Sequence, residues 1–260
     1  MIQIIDLSIT YITPSKSVFA VNNASLSIPK GEIIGLVGES GSGKSSLLMA
    51  IPRLLPSNTE VSGAILLDDL DILSLKKDTL NTIRWKEIAL IPQGAMNSFT
   101  PVLTIGKHIE EVLTFHMELP PHAIKQRCER VMKEAGLDAS YLNRYPHELS
   151  GGQKQRAAIA TALACNPTFL LADEPTTALD VITQREIVET LATLTKEKDM
   201  GLLFVTHDLP LAAQICDKIA VMHEGEIVEK GSPEEIVKNP HHEHTKQLVK
   251  ALLHLEGEEI

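Results

Sequence analysis

Residues 38–45 read GESGSGKS and fit the spacing G-x-x-x-x-G-K-[ST] on Gly38, Gly43, Lys44 and Ser45. Glycines so spaced let backbone N–H groups converge on phosphate oxygens. Lys44 is expected to reach the β and γ phosphates of a nucleoside triphosphate, and Ser45 to give its hydroxyl to Mg²⁺. The expected nucleotide-binding set is Gly38, Glu39, Ser40, Gly41, Ser42, Gly43, Lys44, Ser45 and Ser46. A second element, FLLADE at 169–174, is an apolar run ending in two carboxylates. Adjacent side chains of a strand point to opposite faces, so the two are expected to take different roles. Asp173 would hold Mg²⁺ through its water shell, and Glu174 would polarise the attacking water as general base. A third element, LSGGQ at 149–153, sets Ser150, Gly151, Gly152 and Gln153 at a helix start. The S-x-x-Q spacing is that of a capping box. A serine and two glycines at a helix N-terminus also make an anion site. On these residues alone both readings stand.

The elements around these motifs are legible from patterning. Residues 2–10 and 18–28 alternate apolar and polar positions imperfectly, as half-buried strands do, and Pro29-Lys30-Gly31 makes a turn. EIIGLVG (32–38) suits a buried strand that feeds the glycine-rich loop, and a helix is expected from Lys44 to Leu54, stopped with the help of Pro56. Apolar residues recur at helical spacing over 104–119 and 122–135, with Gly136 placed to end the second helix. A further helix is expected from 150 to about 165, so that a helical insert, 94–165, interrupts an α/β chain. Short apolar runs return at 169–172, 201–206 and 218–222, separated by helical stretches, which argues for a largely parallel sheet. HEGEIVEKG (223–231) reads as a turn and an edge strand, and two helices follow at 233–238 and about 243–254.

The chain has 260 residues, 43% of them hydrophobic, enough to fill a core. Acidic residues (34) outnumber basic ones (24), which argues against a nucleic-acid partner, since such surfaces are basic. No run approaches the roughly 20 apolar residues that span a bilayer. The N-terminus, MIQIIDLSIT, has no basic region of the kind that opens a secretory signal. Cys128, Cys165 and Cys216 lie far apart and form no C-x-x-C pair, so they are expected to be small core side chains of a cytoplasmic protein.

Taken in this order, the motifs resemble those of ATP-binding subunits of ABC transporters, along essentially the whole chain. The resemblance implies an α/β fold of the P-loop NTPase, ABC type: a mostly parallel core sheet, an N-terminal antiparallel β part and a helical insert. Residues 1–93 and 166–240 would form the RecA-like catalytic core, 94–165 the helical signature subdomain, and 241–260 a short C-terminal helical tail. It implies that Gln93, in IPQGAMN, links Mg²⁺ and the nucleophilic water to the insert, completing a metal set of Ser45, Gln93 and Asp173. Asp180, in TALD, would lie in the loop that crosses a dimer interface, and His207, in FVTHDL, would contact the γ-phosphate. The signature Ser150, Gly151, Gly152 and Gln153 of one subunit would complete the ATP site of its partner. An aromatic upstream of the glycine loop would stack on adenine; Tyr11 matches by its place after the first strand, and Phe19 is the rival.

GESGSGKS, RYPHELSGGQ, ADEPTTALDV and GSPEEIVKNPHHEHTKQL are similar to segments of bacterial and archaeal peptide and nickel importers. That subfamily implies uptake of peptides, nickel or a related metal or metallophore, powered by ATP and Mg²⁺. The implied partners are a second ABC ATPase subunit (a non-identical paralogue, otherwise a second copy), two integral-membrane permease subunits and, indirectly, an extracytoplasmic solute-binding protein. The implied location is the cytoplasmic face of the cell membrane. No cysteine follows Cys216, so the iron–sulfur cluster of some relatives is not expected. His241, His242 and His244 are expected to be a solvated surface cluster rather than a metal site. A DNA-repair or translation ATPase would call for a coiled-coil or zinc-bearing insertion or tandem cassettes, and a GTPase switch for N-K-x-D; the sequence has none of these.

Overall fold

A computed structural model describes residues 1–256. The strands and helices run, in chain order, β1 (Ile2–Ile12), β2 (Ser17–Ile28), β3 (Ile33–Val37), α1 (Lys44–Ala50), β4 (Thr59–Leu67), β5 (Leu70–Asp71), α2 (Lys77–Ile83), β6 (Ile88–Ile91), α3 (Ile105–His116) and α4 (Pro121–Glu134). There follow α5 (Gly151–Ala162), β7 (Phe169–Asp173), α6 (Val181–Glu197), β8 (Gly201–Thr206), α7 (Leu209–Ile215), β9 (Lys218–His223), β10 (Glu226–Gly231), α8 (Pro233–Lys238) and α9 (Glu243–Glu256). They form two compact units, one of Met1–Lys76 with the chain from Gly201 onward, the other of Lys77–Met200.

The first unit holds an antiparallel sheet of order β2-β1-β4-β5 and a second sheet segment in which β9, β3 and β8 run parallel, with antiparallel β10 at the edge. Every residue of β3 and β8 is buried, the pattern of parallel strands covered on both faces. Helix α1 packs against β1, β2 and β8, and α7 against β3, β8, α8 and α9. The alternation of β1 is imperfect because its pairing slips between Ile4 and Leu7, where Asp6 takes a left-handed backbone (φ 48°). Helix α1 ends at Ala50, four residues before the expected Leu54. Ile51 keeps helical angles (φ −57°, ψ −54°), but Pro52 has no N–H to carry the helical ladder on, and Arg53 then turns left-handed at φ 53°.

The second unit contains parallel β6 and β7 with α2 to α6. Helices α3, α4 and α5 pack on one another, and α5 also on β6. The insert expected at 94–165 lies wholly inside this unit, which also takes in β6, β7 and α6. Helix α4 closes on Gly136 at φ 75° as expected, and α5 ends at Ala162, just short of 165. All three cysteines are buried, and burial pushes the thiols of Cys128 and Cys165 up to about 11, so they are inert core side chains. Of the expected tail 241–260, the last four residues lie outside the described residues.

Candidate functional site

In the first unit, β3 ends at Val37 and the chain enters the glycine-rich loop before α1. Gly43 stands at φ 104°, and a Cβ there would sit 2.2 Å from the carbonyl oxygen of Ala20, so both backbone angle and space demand glycine. The N-terminus of α1 has no side-chain cap, and anions bind at such helix ends. Lys44 is 5% exposed. Its ammonium donates to the carbonyls of Gly38 (2.8 Å) and Glu39 (2.7 Å) and to Ser42 Oγ (3.3 Å). The loop thus wraps its own cation, and those contacts hold the charge where incoming phosphates would meet it. The hydroxyl of Tyr11 meets Ser46 Oγ at 3.0 Å, which ties the half-buried tyrosine to α1. Phe19, by contrast, is 77% exposed on β2. His207 directly follows β8 at the surface, between Thr206, whose hydroxyl accepts from Asp208 N–H (3.0 Å), and Asp208, which caps α7.

In the second unit, β7 carries Asp173 as its last residue, 2% exposed. Glu174 lies beyond the strand in a left-handed backbone, φ 45°. The expectation that strand alternation separates the two carboxylates is therefore corrected: the reversed backbone angle at Glu174, not the pleat, redirects its side chain. Glu174 Oε2 accepts from Gln93 Nε2 (3.2 Å) and from Thr177 Oγ1 (2.9 Å), so two other residues aim the carboxylate. Thr177 is shared by ADEPTT and TALD, and neither pattern marks it as a partner of Glu174. With its amide nitrogen on Glu174, Gln93 keeps its amide oxygen for another partner. That oxygen and the Asp173 carboxylate are hard donors of the kind Mg²⁺ takes, and the Ser45 hydroxyl of the first unit is another, so each residue by its chemistry fits that ion.

Ser150 caps α5. Its hydroxyl accepts from Gln153 N–H (3.3 Å), and Gln153 Oε1 accepts from Ser150 N–H (2.9 Å), a reciprocal capping box. Gln153 Nε2 also donates to Tyr141 (2.9 Å), which anchors the exposed signature to the preceding turn. Gly151 and Gly152 form the first turn of α5. A Cβ on Gly152 would fall 2.6 Å from Thr183 Cγ2 of α6, so this glycine lets two helices approach closely. Asp180 caps α6, accepting from Thr183 N–H (3.0 Å) and Oγ1 (2.7 Å), and these bonds hold its carboxyl below the ordinary range. Both segments are thus helix caps. Alanine in a helix is normally favoured over glycine by about 1 kcal/mol. Gly152→Ala is instead expected to destabilise by about 1–3 kcal/mol through overpacking. Thermal unfolding of Gly152→Ala and of the same change with Thr183→Ser checks this: the second should recover most of the loss, because it removes Cγ2 and keeps the hydroxyl.

A family model described as ABC transporter matches residues 21–177, more than half of the chain. The chain belongs to the ABC transporter family. It is the ATP-binding, ATP-hydrolysing subunit of such a system. The oligopeptide transport ATP-binding protein OppD of Bacillus subtilis (strain 168) is 40% identical over 100% of this chain and 74% of its own length. The dipeptide transport ATP-binding protein DppD of Caldanaerobacter subterraneus subsp. tengcongensis is 38% identical over 97% of this chain and 78% of its own length. Among solved structures, a dimeric ATP-binding cassette in a post-hydrolysis state, bound to ADP and Pi, aligns with TM-score 0.80 and 33% identity. That alignment covers 90% of this chain and 99% of the other. The expected ABC fold class is therefore met. Among the described residues of this ABC subunit, no helix is long and apolar enough to cross a membrane.

One expectation for the ABC subunit is corrected. His244 is not solvated: it is 5% exposed, and its ring stacks on His223 with centroids 3.8 Å apart. The polar sequence around it gave no sign that α9 folds back onto the protein.

Proposed function

We propose that this ABC subunit drives an importer of peptides, with nickel or a related metal or metallophore as the alternative cargo. Similarity to oligopeptide and dipeptide transport ATP-binding proteins over 100% and 97% of this chain supports the peptide reading. For the chemistry, the carrying observation is the carboxylate of Glu174 held by Gln93 and Thr177 at the end of a buried strand. Tyr11 stacks on adenine, a reading favoured by its tie to α1. The loop from Gly38 to Ser46 encloses the phosphates, and Lys44 turns from loop carbonyls toward the β and γ oxygens. Ser45, Gln93 and Asp173 would hold Mg²⁺, which when bound would neutralise phosphate charge. Water attacks the γ phosphorus, the bond from that phosphorus to the β–γ bridging oxygen breaks, and ADP departs with that oxygen. Glu174 takes the proton of the water, and His207 steadies the γ oxygens.

The capped N-terminus of α5, with Ser150, Gly151, Gly152 and Gln153, serves the ATP of a second ABC ATPase subunit, and Asp180 lies on the dimer loop. That partner is a non-identical paralogue or, failing that, a second copy. The helical subdomain 94–165 relays closure to two permease subunits through the segment around 94–120, at the cytoplasmic face of the membrane, and a solute-binding protein outside selects the cargo. Purifying the membrane complex with its solute-binding protein and identifying the bound ligand by mass spectrometry tests this. A peptide is expected. Nickel or a metallophore would select the alternative, and ATPase activity driven by DNA or ribosomes instead of the permease would overturn the import reading.

A further inference from the structure

The carboxy-terminal helix of the first unit reaches the phosphate loop through a short chain of contacts. His244, on α9, stacks on His223, the last residue of β9, at 3.8 Å between centroids and 22° between planes. The next two residues, Glu224 and Gly225, form the β9–β10 turn. Gly225 N–H donates to the carbonyl oxygen of Ser42 in the phosphate loop (3.0 Å), and Gly225 O accepts from Asn22 N–H (2.8 Å). Ser42 in turn lends its hydroxyl to Lys44 (3.3 Å). The approach to α9 is fixed separately by Glu229 of β10, which accepts from the N–H groups of His241 (2.8 Å) and His242 (3.0 Å).

His244 is in an unusual position for a titratable group. Its Nε2 is buried and meets no hydrogen-bond partner among the described residues. The charged and titratable groups that face it are His223 from β9, Glu224 from the turn, Glu39 from the phosphate loop and His242 from the segment before α9. Helix α7, which packs on α9, carries no titratable side chain. We propose that His244 is a positioning residue for ATP binding: its stack on His223 holds the β9–β10 turn against Ser42, and its protonation loosens that turn. Burial first, and then His223 and His242, push the His244 pKa below its ordinary 6.5, while Glu39 and Glu224 pull the other way. The folded pKa lies below the unfolded value, so the stacked arrangement is at full strength above pH 6.5 and weakens as pH falls through the lower, folded pKa. An imidazolium there would also be drawn to Glu39, on the loop itself.

The test is ATP affinity between pH 8 and 5.5 for the purified wild type, His244→Phe and His244→Ala. Phenylalanine keeps a stacking ring and cannot titrate. At pH 8, His244→Phe should bind ATP within about twofold of wild type, while His244→Ala should bind about fivefold more weakly. On going to pH 5.5, the wild type should lose about fivefold more affinity than His244→Phe, a difference from which the titration of ATP itself cancels. Superimposable pH profiles for wild type and His244→Phe would overturn the proposal, even if His244→Ala failed to fold. The inference rests on the phosphate loop being the ATP site. Failure of the wild type to bind ATP at pH 8 would remove that reading, whereas equal pH profiles remove only this one.

Discussion

Glu174→Gln is expected to bind ATP nearly as well as the wild type while its steady turnover falls by about a thousandfold, the scale of a lost general base. The substitution is close to isosteric. Glu174 Oε2 now accepts from Gln93 and Thr177, and an amide oxygen can accept from both in its place. The left-handed backbone at residue 174 is equally tolerated by either side chain, so the fold should be undisturbed. What disappears is the ability to take a proton from water. With hydrolysis blocked, ATP should accumulate between two subunits as a stable dimer. Phosphate-release assays and size-exclusion chromatography with ATP check the two halves of the expectation. Near-normal turnover would remove Glu174 from the role of base.

Lys44→Ala is expected to weaken ATP binding by about a hundredfold or more, the value of about two charge-assisted bonds to phosphate. It also leaves the carbonyls of Gly38 and Glu39 without the donor they now share, inside a loop where Lys44 is 5% exposed. An unsatisfied buried carbonyl costs about 1–3 kcal/mol, so a lower unfolding temperature is expected as well. The two effects separate by measurement: calorimetric ATP titration well below the variant's unfolding temperature reports the phosphate contact alone. Unchanged affinity there would contradict the phosphate-loop assignment.

The boundary between what was legible in sequence and what was not follows the range of the interactions. The glycine-rich loop, the capping box of Ser150 and Gln153, and the buried runs of β3, β7 and β8 were legible because each depends on residues within a few positions. The end of α1 is also local, but it lies at Pro52 and the left-handed Arg53 rather than at Pro56. The different roles of Asp173 and Glu174 were expected for a reason that the structure replaces, since a left-handed residue after a strand leaves no periodic trace.

Sequence by itself determined the motifs, their order and hence the chemistry available: a phosphate loop, two carboxylates, a glutamine, a histidine and a capped signature helix. Packing decided which distant residues meet. Tyr11 and Ser46 are 35 residues apart, and Gln93 and Glu174 are 81 apart. Gly152 depends on Thr183 across two helices, and His244 is buried only because α9 returns to the end of β9. Such contacts are selected by the shape and burial of the whole core, to which no short segment has access, and so they became visible only in the folded chain.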